Sequence, residues 1–278
     1  MTTSFRGATV LITGAGSGIG RLMALGAAER GAHVVIWDLA AGAAEAVCTE
    51  IVAKGGEAQW AAVDVSNTDA VAAAASSTPP VDVLVNNAGI VTGQHLLDAT
   101  DDAIKRTFDV NTLALFWVTR AFLPGMIERQ RGTVVTVSSA ASLVGVAKQT
   151  DYAASKFAAR GFAESLKAEL RTLGSPVRSM VACPYYIDTG MFAGVQTRFP
   201  RILPIMTPEY VVRRILDGIE GGRTELLMPR FTKLVNPARI LPVPAFDALM
   251  NFFGVNSTMD HFVGRKSPSP VAEAADQD

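Results

Sequence analysis

The sequence predicts an α/β chain: a single domain on a doubly wound sheet of seven parallel strands, with helices on both faces. Three observations lead there. Short apolar, β-branched runs alternate with longer Ala-rich segments of helical periodicity, the pattern of parallel strands joined by helices. The runs are continuously apolar rather than alternating, as strands covered on both sides are. A glycine-rich turn follows the first run directly, at the end of the strand where such sheets place their ligand crevice.

Strands are expected at 9–13, 33–38, 58–65, 81–86, 133–138, 177–183 and 225–228, and helices at 18–30, 40–54, 67–75, 101–129, 152–173 and 208–221. No repeat period and no linker interrupts them, so one domain is expected over 1–265. Two apolar segments break the rhythm: 191–207, interrupted by Pro200 and Pro204, and 234–255, interrupted by Pro237, Pro242 and Pro244. Each is expected to be a substrate lid or a subunit interface. For the second, contact with a membrane surface is the less favoured reading, because Asp247 and the prolines break its apolar run. The Ser/Pro/Ala/Asp-rich stretch 266–278 is expected to be disordered.

Composition narrows the function classes. Of 278 residues, 49% are hydrophobic and 18% charged, enough to fill a sizeable core. The net charge of −1, from 25 basic and 26 acidic side chains, gives no global field toward nucleic acid or an acidic membrane. Cys48 and Cys183 are the two cysteines, which excludes a disulfide framework and fits a reducing compartment. His33, His95 and His261 are scattered, so neither a metal site nor a Ser/His/Asp triad is expected. Residues 1–7 carry no charged-then-apolar signal pattern, and no apolar run reaches the roughly 18–20 residues of a bilayer span. The expectation is a soluble, cytoplasmic chain without a transmembrane segment.

Gly14-Ala15-Gly16-Ser17-Gly18-Ile19-Gly20 runs from the first strand into a helix. Glycines serve where backbone turns tightly and a pyrophosphate approaches, and the helix then offers free N–H groups and a positive dipole end. The strand–turn–helix context separates this turn from an ordinary Gly-rich loop. Asp38 ends the second strand, eighteen residues past Gly20. A carboxylate there accepts hydrogen bonds from ribose hydroxyls and repels a 2′-phosphate, which predicts NAD over NADP. The alternative is an Asp that caps the next helix.

Tyr152 and Lys156 are four apart and share a helix face. Ser139 ends a strand thirteen residues earlier, and Asn111 lies in the long helix expected after Asp101. A Tyr-x-x-x-Lys pair alone is common; its weight here comes from lying downstream of the nucleotide turn.

Taken together, these pieces resemble the short-chain dehydrogenase/reductase family. The matching motifs are Thr13 through Gly20, Asp64-Val65, Asn86-Asn87-Ala88-Gly89, Asn111, Ser138-Ser139, Tyr152-Ala153-Ala154-Ser155-Lys156 and Pro184 through Thr189. They occur in the family's order and cover about residues 5–230. The resemblance implies a Rossmann-type fold, hydride transfer between an alcohol or carbonyl and a nicotinamide cofactor, and a set of roles. Tyr152 is the acid/base on the substrate oxygen, and Lys156 holds the nicotinamide ribose and lowers the phenol pKa. Ser139 hydrogen-bonds the carbonyl oxygen. Asn111 holds a relay water. Gly14, Ser17, Gly18, Ile19, Gly20 and Asp38 bind the phosphates and ribose. Asp64 and Val65 flank the adenine, Asn87, Ala88 and Gly89 line the cofactor floor, and Pro184, Ile187 and Thr189 meet the nicotinamide. Ser138 competes with Ser139, but its strand position points the other way. Helices 101–129 and 152–173 commonly build a dimer or tetramer interface in such relatives, so a homo-oligomer is expected.

One departure stands out. Many relatives continue Pro184 with Gly, whereas here Tyr185 and Tyr186 follow. They wall a substrate pocket or simply pack. A narrower resemblance, carried by Asp188-Thr189-Gly190-Met191-Phe192, Phe199-Pro200, Leu203-Pro204-Ile205-Met206 and Met259 through Arg265, points to the branch of retinol and 17β-hydroxysteroid dehydrogenases. It implies a bulky lipophilic alcohol or ketone, with Met191 and Phe192 joining Ser139, Tyr152, Tyr185 and Tyr186 at the substrate. A smaller polar carbonyl, or nucleotide sensing without catalysis, are the competing readings. The complete Asn111/Ser139/Tyr152/Lys156 set speaks against the last, since a pure binder needs no acid/base group.

Overall fold

The computed structural model describes residues 3–264. Seven parallel strands form one sheet: β1 (Thr9–Thr13), β2 (His33–Asp38), β3 (Glu57–Ala62), β4 (Val83–Asn86), β5 (Thr133–Val137), β6 (Arg178–Pro184) and β7 (Glu225–Met228). Their order is β3-β2-β1-β4-β5-β6-β7, so the winding reverses between β1 and β4 and opens a crevice at their carboxyl ends.

Nine α-helices flank the sheet among the described residues: α1 (Gly18–Glu29), α2 (Ala41–Ala53), α3 (Thr68–Ser76), α4 (Asp101–Phe108), α5 (Ala114–Glu128), α6 (Thr150–Thr172), α7 (Pro208–Glu220), α8 (Val235–Ala238) and α9 (Val243–Phe252). Strand side chains alternate between two cores. Val10, Ile12, Val34 and Ile36 pack with Met23 and Ala27 of α1, Val47 of α2, and Val211 and Ile215 of α7. Leu11, Val35, Trp37 and Leu84 pack on the opposite face with Val71 of α3, Val118, Phe122 and Met126 of α5, and Leu166 and Leu170 of α6. This double coverage explains the unbroken apolar strands of the sequence.

Several expected boundaries move, each for a local reason. β3 stops at Ala62 rather than 65, because the Asp64 carboxylate accepts hydrogen bonds from the Ser66 N–H at 3.0 Å and its hydroxyl at 2.6 Å, a turn that ends the strand. The helix expected at 101–129 is not uniform: a π-helical turn, Asp109–Leu113, separates α4 from α5. Such turns gather at functional sites, and this one carries Asn111. By length and composition the whole stretch Asp101–Glu128 is apolar enough to cross a membrane, with half of its window buried; its Val118, Phe122 and Met126 sit in the core beneath the sheet.

The proline-broken segment 234–255 is helical rather than irregular. Pro242 and Pro244 stand at the start of α9, where a missing N–H does no harm. The expected disordered stretch 266–278, and Arg265, lie outside the described residues.

Candidate active site

The turn after β1 is held in place from three sides. The Gly14 N–H donates to Trp37 O at 2.7 Å, Asn87 Nδ2 donates to Thr13 O at 2.9 Å and to Gly14 O at 3.1 Å, and the Asn87 and Ala88 N–H groups donate to Thr13 Oγ1 at 3.0 and 3.1 Å. Gly14 has φ +64°, and a Cβ on it would meet Ala88 Cα at 2.9 Å. Only glycine satisfies both the left-handed backbone and that approach. The Asn87 side chain is therefore a brace between the two strands that flank the winding reversal, at the lining of the crevice.

Asp38 does not cap the next helix, as one reading had it, since Ala40 is the N-cap of α2 and no side chain caps it. Its Oδ2 accepts the Gly16 N–H at 2.8 Å and its Oδ1 accepts the Ala40 N–H at 2.9 Å, so it does bind backbone near the start of α2. It also lines the crevice beside Ser17, Gly18 and Ile19. Further along, Asp64 is gripped by Arg106 at 3.1 Å. Hydrogen bonds from Ser66 and the Arg106 guanidinium outweigh its burial and hold its carboxyl below the ordinary carboxylate value. Arg106, from α4, lines the same crevice and was invisible to the sequence reading, because nothing local marks it.

These groups open into one cavity of ~490 Å³. It gathers every expected cofactor and substrate residue, from Gly14 to Phe192, with one exception: Asn111 does not line it. The Asn111 side chain instead clamps the adjacent loop, accepting the Ile90 N–H at 2.8 Å and donating to Ile90 O at 2.9 Å and Ser155 Oγ at 3.0 Å.

α6 supplies the reactive end. It starts at Thr150, so Tyr152 and Lys156 lie one turn apart near its beginning. Both are about 5% exposed. Burial raises the Tyr152 phenol above its ordinary value, opposed by its hydrogen bond with Ser139. Burial lowers the Lys156 ammonium from 10.5 to about 8. Its Nζ donates to Val137 O at 3.1 Å and lies 5.7 Å from the Tyr152 ring centroid. The expectation of an acidified phenol is thus corrected for the protein alone: desolvation is the largest influence on Tyr152.

The two serines separate as their alternation requires. Ser138 Oγ donates to the backbone of Lys156 at 2.9 Å and is buried there, whereas Ser139 meets Tyr152. The Tyr185-Tyr186 departure also resolves. Tyr185 N–H donates to Met228 O at 2.9 Å, so the backbone stays paired with β7. Tyr186 is a strut, its hydroxyl bonded to Gln149 Nε2 at 3.1 Å and Thr258 Oγ1 at 2.8 Å. Phe192 packs edge-on to Tyr152, with centroids 5.7 Å apart, and to Tyr186. Segment 191–207 therefore covers the Tyr152 side of the cavity, with Met191, Phe192 and Leu203 lining it.

The sequence reading missed Asp151. It is buried, yet its carboxylate accepts the Thr92 hydroxyl, 2.9 Å from both oxygens, and lies 2.9 Å from Thr107 Oγ1. It ties the loop after β4 and α4 to the first turn of α6, where a helix N-terminus favours a negative charge. The signal was one acidic residue directly before Tyr152, which spacing alone did not distinguish.

The residues fit a dinucleotide: a glycine turn opening on the first N–H groups of α1, carboxylates at 38 and 64, and a buried lysine at the far end. Comparison with known proteins agrees. Residues 8–198 match the family model described as short chain dehydrogenase. Epidermal retinol dehydrogenase 2 of Mus musculus is 42% identical over 270 residues, covering 94% of this chain and 86% of that protein. Retinol dehydrogenase 10 of Rattus norvegicus is 36% identical over 296 residues, covering 95% and 87%. Among solved structures, a short chain dehydrogenase/reductase from Burkholderia phymatum in complex with NAD superposes with TM-score 0.78 at 26% identity, covering 86% of this chain and 95% of that one. A 3-oxoacyl-[acyl-carrier protein] reductase from Brucella melitensis gives 0.72 at 33% identity, covering 81% and 91%.

Proposed function

Because the chain belongs to the short chain dehydrogenase family, and is a nicotinamide-dependent oxidoreductase of CH–OH groups, we propose that it interconverts bulky lipophilic alcohols and their aldehydes or ketones, with NAD as its cofactor. One observation carries the substrate class. All charged side chains of the cavity (Asp38, Asp64, Arg106 and Lys156) lie on the cofactor side, while the wall beyond Tyr152 is built from groups such as Leu143, Val146, Tyr185, Phe192, Val235 and Phe253. A carboxylate or phosphate on the substrate would find no cation there, and its desolvation would go uncompensated. The names of the retinol dehydrogenases similar to this chain point the same way.

When bound, the nicotinamide ring supplies the hydride acceptor or donor. The chain's own residues do the rest. Tyr152 gives or takes the proton at the substrate oxygen. Ser139 donates a hydrogen bond to the same oxygen as charge develops there. Lys156, 5.7 Å from the Tyr152 ring, favours the phenolate by its charge once the phenol loses its proton. Asn111 fixes Ile90 and Ser155, and thereby the floor under Lys156. The aromatic cover of Phe192 and Tyr186 excludes water. Asp38 favours NAD by repelling a 2′-phosphate. The reading includes a cytoplasmic homo-oligomer joined through α5 and α6, where Phe116 and Phe157 are exposed.

The test follows NADH absorbance with retinoids, steroids, long-chain and aromatic alcohols, against short charged carbonyls and acyl thioesters. Turnover of the lipophilic set is expected. Activity confined to the charged or acyl set overturns the reading.

A further inference from the structure

The wall beyond Tyr152 carries a hydrogen-bonded chain of polar side chains among its apolar ones. Gln149, Tyr186 and Thr258 all line the cavity and are buried, Gln149 to 1% exposure. Gln149 directly precedes α6 and stands three residues before Tyr152, so the two side chains are neighbours one turn apart. Phe192 packs against both Tyr152 and Tyr186, with centroids 5.7 and 5.1 Å away, and Tyr186 is close enough for its charge to raise the Tyr152 phenol. The donors of this chain run in one direction. Thr258 Oγ1 gives its single proton to Val255 O at 3.0 Å. It therefore accepts from the Tyr186 hydroxyl at 2.8 Å, which spends the single proton of Tyr186. Tyr186 in turn accepts from Gln149 Nε2 at 3.1 Å. The amide cannot turn over without breaking that order. Gln149 Oε1 is left as an acceptor with no partner among the described residues. Although Gln149 is the N-cap of α6, its side chain accepts none of the helix N–H groups, the usual use of an oxygen at that position.

We propose, resting on the lipophilic-alcohol reading above, that Gln149 selects among such alcohols those with a second hydroxyl a few carbons from the reacting one, which donates its proton to Gln149 Oε1. A substrate that fills the cavity displaces water from the amide oxygen. An alcohol with a single hydroxyl, held by Ser139 and Tyr152, brings no donor to that oxygen and leaves a buried acceptor unpaired. A second hydroxyl makes the bond. An ether oxygen in the same place has no proton to give and meets the amide oxygen lone pair to lone pair. Sites built to bond a hydroxyl discriminate strongly for this reason. Tyr186 is the positioning residue, since it decides which end of the amide is left for the substrate.

The experiment compares 2-dodecanol with analogues that carry a second hydroxyl one, two or three carbons further along, and with the methyl ethers of those second hydroxyls. Two readouts are taken: kcat/KM with NAD, and thermal stabilisation of the NADH-loaded enzyme, in which an alcohol binds without turnover. At least one diol is expected to exceed 2-dodecanol about tenfold in kcat/KM and to stabilise the NADH-loaded enzyme more. Its methyl ether should lose that advantage. Gln149→Leu should bring the ratio of diol to 2-dodecanol to about one. Tyr186→Phe frees the amide to turn and present Nε2, so the ether should regain much of the diol's advantage. Where a variant fails to fold, the diol and ether comparison on the parent decides alone. The proposal is overturned by equal treatment of 2-dodecanol and every diol in both readouts, or by an ether that shares the diol's advantage in the parent. It is equally overturned by an advantage that survives in folded Gln149→Leu, or by a folded Tyr186→Phe that still rejects the ether. Turnover of 2-dodecanol without any diol preference sinks the role of Gln149 and leaves the lipophilic-alcohol reading standing. A diol preference in binding without turnover of any alcohol does the reverse.

Discussion

Asp38 Oδ2 accepts the Gly16 N–H at 2.8 Å, so the carboxylate that ends β2 is locked against the glycine turn that ends β1. A Cβ at Gly16 would meet the Asp38 Cγ at 2.9 Å, which shows how closely the two are fitted. The charge of Asp38 is therefore fixed at one wall of the crevice. Asp38→Asn removes the charge and keeps one acceptor oxygen, enough for one of the two backbone N–H groups that Asp38 holds with an oxygen each. The expected outcome is a shift of the NADP-to-NAD ratio of kcat/KM by about tenfold toward NADP. Steady-state kinetics with both cofactors measures it; an unchanged ratio would show that Asp38 only braces the turn.

Tyr152→Phe deletes the hydroxyl and leaves the ring packed on Phe192. Turnover should fall by roughly 10²-fold or more, with cofactor affinity within about twofold of the parent. Fluorescence titration of NADH, together with rate measurements, separates the two effects. Retention of more than a few per cent of activity would remove Tyr152 from the proton step.

Lys156 makes stability depend on pH in a defined window. Its ammonium has a folded-state pKa lowered to about 8 from 10.5. Between those values the unfolded chain holds more protons than the folded one, so the penalty of burying the Lys156 ammonium is relieved and stability rises as pH goes from about 8 toward 10.5, by at most ~1.4 kcal/mol per pH unit. Tyr152 opposes this above its ordinary value of 10.0, since its raised phenol keeps a proton that the unfolded chain releases. Burial likewise raises the thiols of Cys183 and Cys48 above 9.0, so they oppose it from about that value and the clean window is pH 8 to 9. Urea unfolding of the parent and of Lys156→Met across that window should show the rise in the parent and its loss in the variant.

Asp151 should matter to stability and to catalysis together. Asp151→Ala strands the Thr92 hydroxyl and opens a gap between α4 and α6, with an expected loss of about 2–3 kcal/mol. Asp151→Asn keeps an acceptor oxygen and should lose less than half of that. If the carboxylate positions the start of α6, kcat should fall in both variants beyond what the remaining folded fraction explains. Unfolding midpoints and kcat per folded molecule check this.

Local chemistry determined much of this protein. Apolar runs marked the strands because covered parallel strands have no polar face to show; β3, an edge strand whose side chains are largely exposed, is the exception. The glycine turn, Asp38, Ser139, Tyr152 and Lys156 were legible because each sits at a strand end or on one helix face at a short, regular spacing. Ser139 could even be separated from Ser138 by alternation. Packing between elements distant in the chain decided the rest. Arg106 reaches Asp64 across 42 residues, Thr92 reaches Asp151 across 59, and Tyr186 reaches Thr258 across 72; no periodicity encodes such partners. That Asn111 also holds Ile90 on both sides of its peptide, from within a π-helical turn, was not legible. Proline read as interruption in 234–255 and proved to start a helix, because its effect depends on whether the missing N–H falls inside a turn or before it. Sequence periodicity reports which side of an element is buried, whereas the identity of what buries it, and the balance of desolvation that sets Tyr152 and Lys156, arise only when the elements meet.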